Sequence, residues 1–287
     1  MKNFKYLIST ILSVFLLQSC TETIDVKIKD VNPKVSIYGR IDDNPLTLDK
    51  VTVNYSVSYS KPQDSIYIAN AIVKITEQGG EQWQFTYSKK GVYLPPPTYN
   101  GIKLNTPYKL TVEYNGTIYE ANSTAEPFFN EQNQNPIVGD SVMKKDKENS
   151  FGNDTSGYKI WLFLVDNPSK TNYYYLDFSR NDTLQYKLRD NYYLVTFDDL
   201  VFEGGKVTPF QCQYTFKLGD KARSDIFSVD FDTYSFLSAL SLQANNDGSY
   251  FSAPGANVKS NITNGAIGYF YAASSFSDTL TVRPRKK

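Results

Sequence analysis

Paired aspartates are the residues of this 287-residue chain whose type and spacing could most directly support catalysis. Two carboxyl groups suffice for glycoside hydrolysis. The pairs and groups that lie close together in sequence are Asp42 and Asp43, Asp198 and Asp199, and Asp225, Asp230 and Asp232. Each lies at a predicted turn or element end, where aspartate is favoured for local hydrogen bonding. None lies within an apolar run that would raise its pKa and indicate a general acid, so we interpret all of them as structural.

Histidine is absent from the sequence. Its absence removes Ser-His and Cys-His nucleophile pairs and every zinc site that uses histidine. The sequence also lacks a phosphate-binding glycine loop, a Gly-x-Ser-x-Gly motif and zinc-ligand spacing. Residues 245–249 (Asn-Asn-Asp-Gly-Ser) offer oxygen ligands around a glycine, but the EF-hand spacing with its final glutamate is missing, so we predict a turn. We therefore expect no catalysis, no metal and no cofactor.

The two cysteines have different predicted roles. Cys20 follows a segment with lysines at its front and an apolar run from Leu7 to Leu17, which is the layout of a bacterial secretion signal. Residues 17–20 (Leu-Gln-Ser-Cys) resemble a lipobox, so we expect residues 1–19 to be a signal peptide and Cys20 to carry lipid. Several acyl chains anchor a protein stably, because each buried methylene contributes ~0.8 kcal/mol. An ordinary signal peptide that contains a cysteine is the alternative. Cys212 alternates with polar residues, which predicts a buried strand cysteine rather than a reactive thiol.

Aromatic residues are the remaining candidates for ligand binding. The chain has 23 tyrosines and 18 phenylalanines, and exposed rings could form flat platforms for a sugar. The residues that we single out as ligand-binding candidates are Trp83, Tyr93, Tyr99, Tyr174 and Tyr193. Cross-strand packing on a sheet is the alternative for each of them. Nucleic acid is not an expected partner, since 30 basic and 30 acidic residues leave no basic excess.

The elements that would position these residues are mostly strands. Residues 33–125 show a period of two throughout, most clearly in the alternation from Val51 to Tyr59. Asn115 and Gly116 lie between two alternating runs, which is a strong hairpin signal because both residues tolerate positive φ. Several short strands with regular turns predict an immunoglobulin-like or transthyretin-like β-sandwich.

The rest of the chain predicts a second β domain. Residues 20–32 form a spacer between the lipid and the sandwich. Residues 126–157 are poor in apolar residues, so we interpret them as a linker or long loop. Residues 158–287 then contain further strand patterns, which predict a larger antiparallel β domain. One helix is predicted near 233–244, with Asp232 as a possible cap and apolar residues at spacings of three and four.

Several stretches recur in a characteristic order, namely residues 20–25, 33–41, 166–174, 199–204, 234–240 and 260–270. This order resembles domain-of-unknown-function family 4249, a family of Bacteroidota lipoproteins. The most specific is Asn-Ile-x-x-Gly-x-x-Gly-x-Phe at residues 261–270. The resemblance implies an outer-membrane lipoprotein, often encoded near TonB-dependent receptors of the starch-utilisation type. It implies no catalytic residues. Acidic residues after the lipidated cysteine are linked to surface export in these bacteria, but only Glu22 and Asp25 are present here. The sequence therefore does not decide whether the protein faces the periplasm or the cell surface.

Together these features predict a non-catalytic lipoprotein that is an accessory binding component of a TonB-dependent uptake system. The expected partners are the lipid membrane through Cys20, a TonB-dependent β-barrel receptor, and a glycan or peptide ligand. One alternative is a cell-surface scaffold or adhesin that binds only proteins. Another is a glycosidase, which would require two carboxyl groups ~5–10 Å apart in one cleft.

Overall fold

A computed structural model describes residues 32–57, 66–127, 158, 160–162, 171–185, 187–188, 191–192, 194–199, 210–212, 214–246 and 258–283. Cys20, Tyr193 and most of the predicted linker lie outside these residues. The described part contains sixteen strands and one helix. They are β1 Val35–Asp42, β2 Lys50–Tyr55, β3 Ile72–Glu77, β4 Gln82–Lys89, β5 Val92–Leu94, β6 Pro107–Tyr114, β7 Thr117–Thr124, β8 Trp161–Leu162, β9 Tyr173–Arg180, β10 Thr183–Gln185, β11 Lys187–Leu188, β12 Asn191–Tyr192, β13 Val195–Asp198, β14 Phe210–Gln211, β15 Lys221–Val229, α1 Phe231–Ala244 and β16 Ile267–Thr281.

Strands β1 to β7 form the predicted N-terminal sandwich. Neighbouring strands pair in the order β1-β2-β5-β4-β3-β6-β7, and all of these pairs are antiparallel. The inward residues of the alternating pattern, such as Ile37, Val53 and Val112, are fully buried in one common core. The predicted hairpin is confirmed, because Asn115 and Gly116 join β6 to β7 with φ values of 49° and 75°.

Strand β16 connects this sandwich to the second part of the molecule. Its first half pairs in parallel with β1, from Ser36 with Ile267 to Asp42 with Ala273. Its second half pairs antiparallel with β15. Phe270 and Ala272 therefore belong to the core of the first sandwich, although they lie in the range predicted as the second domain. A parallel pair needs a crossover connection, which local hairpin signals in the sequence do not reveal.

The second part is built on the antiparallel strands β9, β15 and β16, with β10 and β13 paired to β9. Both faces of this sheet are covered. Phe178, Leu176 and Ile226 pack into a core on one face. Phe227 and Val229 pack on the opposite face with Leu237 of α1. The predicted fold class, mostly β with a sandwich, a larger antiparallel part and one short helix, is confirmed.

Helix α1 begins two residues earlier than the sequence pattern predicts. Its N-cap is Asp230, whose carboxylate accepts a hydrogen bond from the backbone N–H of Thr233 at 2.7 Å. Asp232 instead lies in the first turn, where a negative charge is favourable. Within the described residues, no helix is both long and apolar enough to cross a membrane.

Candidate functional site

Three of the predicted aromatic platforms are core residues. Trp83, Tyr93 and Tyr174 have only 7%, 1% and 1% of their surface exposed. The Tyr93 hydroxyl donates to the Ile68 carbonyl and accepts from the Ala71 N–H, both at 3.0 Å. No ring face of these residues is open to a ligand in this conformation, because the period of two points them into the sheet interior. The structure therefore corrects their assignment from ligand platforms to packing residues.

Tyr99 also packs, although it is only half-buried. Its ring meets Trp83 and Phe85 edge to face, with centroid distances of 5.1 and 5.8 Å. Its hydroxyl donates to Asp49 Oδ2 at 2.5 Å. The ring and the hydroxyl thus both have partners within the protein. The ligand role of Tyr193 and the lipidation of Cys20 fall outside the described residues and stay predictions.

The predicted structural acids make hydrogen bonds within the protein. Asp43 accepts from the backbone N–H of Ser275 at 2.8 Å, and Asp199 accepts from that of Asn172 at 2.8 Å. Asp225 accepts from Arg223 Nε at 2.8 Å. These bonds account for Asp43 and Asp199 at the ends of elements without invoking catalysis, whereas Asp225 lies within β15 and not at the element end that the sequence predicts. Cys212 is buried as predicted, and its backbone N–H donates to the Ile160 carbonyl.

One buried acid with a raised pKa was missed by sequence reasoning. Asp49 accepts from the backbone N–H of Asp42 at 2.9 Å and from the Tyr99 hydroxyl. Burial, together with the nearby charge of Asp42, raises the pKa of Asp49 to about 7. Asp42 is itself 2% exposed, and burial raises its pKa too. Both carboxylates face protein donors, and neither lines the two cavities described below.

A buried ion pair lies next to these acids, where the two parts of the molecule meet. Arg40 of β1 donates from Nη1 to Asp177 of β9 at 2.9 Å. Its guanidinium also lies 4.4 Å from the ring centroid of Phe227 on β15. Tyr175 donates a further hydrogen bond to Asp177. This cluster links β1 to the sheet of the second part.

One cavity lies at the end of the first sandwich, next to the residues at which the described chain begins. It has a volume of about 290 Å³. Three of its walls carry tyrosines, namely Tyr55 at the end of β2, Tyr114 at the end of β6 and Tyr119 on β7. We call it the tyrosine pocket. Its other lining residues are Pro33, Lys34, Val35, Asn115, Thr117, Asn264, Gly265 and Ala266.

Two of the tyrosines form a polar pair at this pocket. The Tyr55 hydroxyl donates to the Tyr114 hydroxyl at 3.3 Å, and the two rings meet at 71° with centroids 6.1 Å apart. This hydrogen bond raises the pKa of the Tyr55 hydroxyl, so the group stays protonated at neutral pH. A hydroxyl that accepts one bond can still donate its own hydrogen, so Tyr114 keeps a donor for a ligand.

The wall formed by residues 264–266 is held in place by β7. Asn264 Nδ2 donates to the Ile118 carbonyl at 2.5 Å. The Thr263 N–H donates to the Glu120 carbonyl at 2.9 Å, and the Glu120 N–H donates to Thr263 Oγ1 at 2.8 Å. Asn264 and Gly265 both have positive φ, which forms a tight turn at the pocket rim. The wall is therefore fixed by several hydrogen bonds rather than by one.

The motif at residues 261–270 positions this wall. The Asn261 side chain makes two hydrogen bonds to the backbone of Phe270. It donates to the Phe270 carbonyl at 2.7 Å and accepts from the Phe270 N–H at 2.9 Å. Gly268 has a φ of 120°, and a Cβ added there would lie 1.8 Å from the Ile37 carbonyl oxygen. Glycine is thus required for β16 to lie against β1. The motif therefore has a structural role, and it contains residues 264–266, which line the tyrosine pocket.

A second cavity of about 290 Å³ lies between α1 and residues 258–261. Its walls include Phe236 and Tyr269, whose rings stack 4.4 Å apart at 20°. Val258 and Ala239 add apolar surface, and Asp232 lies at its edge. Residues 258–261 thus line this second cavity, and residues 264–266 line the tyrosine pocket.

The chemistry of the tyrosine pocket suits binding. Among the described residues that line it, Lys34 is the one charged residue, and none is an acid. The remaining polar groups are hydroxyls and side-chain amides, which donate and accept hydrogen bonds without titrating near neutral pH. In the described part of the chain, no three His, Cys, Asp or Glu side chains are grouped closely enough to hold a metal ion.

Of the five aromatic candidates from the sequence, the four that the structure describes, Trp83, Tyr93, Tyr99 and Tyr174, are not among the residues that line this pocket. Tyr114 directly precedes the Asn115 and Gly116 turn, so its position at the end of a strand could be read from the sequence. Tyr55 likewise ends a described strand within the clearest alternating run. What the sequence did not show is that β2, β6 and residues 264–266 meet at one end of the sandwich, because this depends on the strand order and the crossover to β16.

Comparisons with known proteins give a family and similarity to solved structures. No curated protein shows significant similarity to this chain. Among solved structures, the chain is similar to a two fibronectin type-III domain segment from chicken tenascin, with 12% sequence identity over 70% of this chain and 92% of that chain. The TM-score is 0.19, which is too low to support any argument about strand arrangement. The family model described as domain of unknown function DUF4249 matches residues 21–279, which is most of the chain, and the protein therefore belongs to the DUF4249 family.

Proposed function

We propose that this protein is a non-catalytic, lipid-anchored binding protein of the outer membrane that serves as an accessory component of a TonB-dependent uptake system. The observation that carries the proposal is the tyrosine pocket, a concave site that combines aromatic rings with hydroxyl and amide groups. Ligand sites of small molecules typically have this mixture of ring surface and a few polar groups. A volume of about 290 Å³ suits a ligand of roughly one ring.

The N-terminal sequence supports the anchored location. The lipobox-like residues end at Cys20, and the family match begins at residue 21, directly after it. This start agrees with a mature chain whose first residue is Cys20. Membership of the DUF4249 family is the basis for proposing a TonB-dependent receptor as the partner.

The position of the pocket relative to the anchor also supports a role close to the membrane. Pro33 and Lys34 line the pocket and follow the first described residue, Asn32. About 12 residues separate Cys20 from Asn32, and an extended chain of that length spans at most ~43 Å. A ligand in this pocket would therefore be held within reach of a receptor in the same membrane.

Co-purification tests this proposal. The full-length chain, tagged at its C-terminus, is expressed in the bacterium that encodes it, and its outer membranes are solubilised gently. Mass spectrometry should recover a TonB-dependent β-barrel with the intact protein. The matched variant Cys20→Ser should lose membrane association and the receptor together. Recovery of the membrane-bound protein without any barrel would contradict the uptake role.

A scaffold or adhesin that binds only proteins is favoured by a different feature. Leu46 and Leu48, in the loop between β1 and β2, have 63% and 56% of their surface exposed. Arg223 Nη2 holds this loop by donating to the Leu46 carbonyl at 2.7 Å. Exposed leucines on a fixed loop suit a protein contact. If the double variant Leu46→Ser, Leu48→Ser loses all captured proteins and Tyr114→Ala alters neither capture nor ligand uptake, the scaffold function is favoured instead.

A further inference from the structure

We infer that the tyrosine pocket binds a single carbohydrate ring that carries a carboxylate, such as a uronic acid unit, in preference to a neutral or amino sugar. This inference rests on the proposed function, because it names the class of ligand for the same pocket. It follows from four features of the lining residues: size, ring surface, hydrogen-bonding groups and charge.

The size of the pocket limits the ligand to about one ring. Its volume of about 290 Å³ lies at the lower end of the range of ~300–1,000 Å³ that is usual for small-molecule sites. Its walls come from the ends of β2 and β6, from β7, and from residues 33–35 and 264–266. An oligosaccharide would therefore place one unit inside and leave the others outside.

The ring surface is supplied by tyrosines in two orientations. Tyr55 and Tyr114 both line the pocket and meet edge to face at 71°, so their rings contribute surface in two different planes. Tyr119 is 9% exposed and adds part of a third ring. Tyrosine combines an apolar body with a hydroxyl and loses little conformational entropy on binding. This suits a sugar, which has C–H faces bordered by hydroxyl groups.

The hydrogen-bonding groups match a ligand rich in hydroxyls. Tyr114 accepts from Tyr55 and keeps its own hydrogen to donate. Asn115, Thr117 and Asn264 add side-chain amides and a hydroxyl, each of which can supply donors and acceptors. A lipid tail or an aliphatic peptide side chain would leave these groups without partners, which is unfavourable.

The charge of the pocket favours an anion. Lys34 is the one charged residue in the part of the lining that the structure describes. Its backbone is fixed because its N–H donates to Ser56 Oγ at 2.9 Å and its carbonyl accepts from the Ser56 N–H at 2.8 Å. A carboxylate near this ammonium group gains attraction, whereas the ammonium of an amino sugar is repelled. At an exposed rim we expect the preference to be roughly 3- to 10-fold.

Calorimetry and saturation-transfer NMR on the full chain in detergent test this inference, with glucuronate, glucose and glucosamine as probes. We expect glucuronate to bind most tightly and glucosamine most weakly. Tyr114→Ala should abolish binding of all three. Lys34→Gln should bring glucuronate to the affinity of glucose. The matched controls Tyr87→Phe and Lys89→Gln, in the same sandwich but outside the pocket lining, should change neither.

The outcomes separate the ligand class from the broader function. Equal affinity for glucuronate and glucosamine, or binding that survives in a folded Tyr114→Ala variant, would overturn the inference. Absence of binding to all three sugars would also overturn it, and continued recovery of the receptor would show that the uptake function stands without it. If Tyr114→Ala is unfolded by circular dichroism, Tyr114→Phe replaces it. That variant keeps the ring and should weaken glucuronate binding several-fold, and unchanged binding would count against the pocket.

Discussion

At the scale of single residues, Asp49 has the environment that most clearly predicts a pH effect. It is 8% exposed and its pKa is raised to about 7 by burial and by the charge of Asp42. The usual pKa of aspartate is about 3.9, so the folded state binds this proton more tightly than the unfolded state. The stabilising effect of that proton is therefore complete below about pH 4 and is lost as the pH rises towards 7.

We expect Asp49→Asn to stabilise the protein above pH 7. The asparagine oxygen can still accept from the Asp42 N–H, and the neutral amide removes the buried charge that exists at high pH. A shift of about 3 pKa units corresponds to at most ~4 kcal/mol, and we expect a gain of about 1–3 kcal/mol at pH 8.5 with little gain at pH 5. Urea unfolding at both pH values measures this. The control Asp182→Asn changes an exposed acid and should show no such pH dependence. An Asp49→Asn variant that is no more stable than the native chain at pH 8.5 would contradict the expectation.

Arg40 and Asp177 give a second prediction at this scale. Their side chains are 14% and 11% exposed, so Arg40→Met would leave a buried carboxylate without its cation. We expect a loss of about 3–5 kcal/mol in the free energy of unfolding, measured by urea titration. Lys221→Met removes an ion pair with Asp182 whose side chains are 52% and 71% exposed, and it should cost less than about 1 kcal/mol. If Arg40→Met lowers the free energy of unfolding no more than Lys221→Met does, the buried ion pair does not stabilise the fold as we expect.

At the scale of elements, the parallel contact of β16 with β1 depends on a glycine. Gly268→Ala would place a methyl group 1.8 Å from the Ile37 carbonyl oxygen and keep a φ of 120° that alanine disfavours. We expect this variant to lose more than about 4 kcal/mol or to fail to fold, because the two strands would have to separate. Gly265→Ala is the control, since its φ is 75° but no atom lies within 4 Å of the added methyl, and it should lose only about 1–2 kcal/mol. The two variants are compared by their yield and by urea unfolding. Equal losses of stability would show that the positive φ, and not the contact between β16 and β1, accounts for the loss in Gly268→Ala.

The elements also show what the sequence could predict. Alternation and the Asn115 and Gly116 turn predicted the hairpin from β6 to β7, because these signals act between neighbours in the chain. The period of two does not tell which face of a strand is buried, so the sequence predicts exposed platforms at Trp83 and Tyr93, which the structure places in the core. The tyrosine pocket depends on strands that are distant in sequence, with Tyr55 and Tyr114 separated by 59 residues, and no local pattern encodes that approach.

At the scale of the whole molecule, the tyrosine pocket lies close in sequence to the proposed anchor at Cys20. The spacer after Cys20 leads to Asn32, and Pro33 and Lys34 already line the pocket. The second part is joined to this sandwich by the continuous strand β16 and by the Arg40 ion pair. The spacer length should therefore determine how far the pocket can reach from the membrane.

Deletion of residues 24–29 tests this relation. Six residues span at most ~20 Å, so the deletion removes about half of the reach between Cys20 and Asn32. We expect the purified variant to bind ligand as the native protein does, because the described lining of the tyrosine pocket begins at Pro33, but to recover much less receptor from solubilised membranes. Replacement of the same six residues by glycine and serine keeps the length and should retain the receptor. If the deletion variant recovers as much receptor as the native protein, reach from the membrane does not limit formation of the complex. If the glycine and serine variant loses the receptor, the spacer acts through its sequence and not through its length.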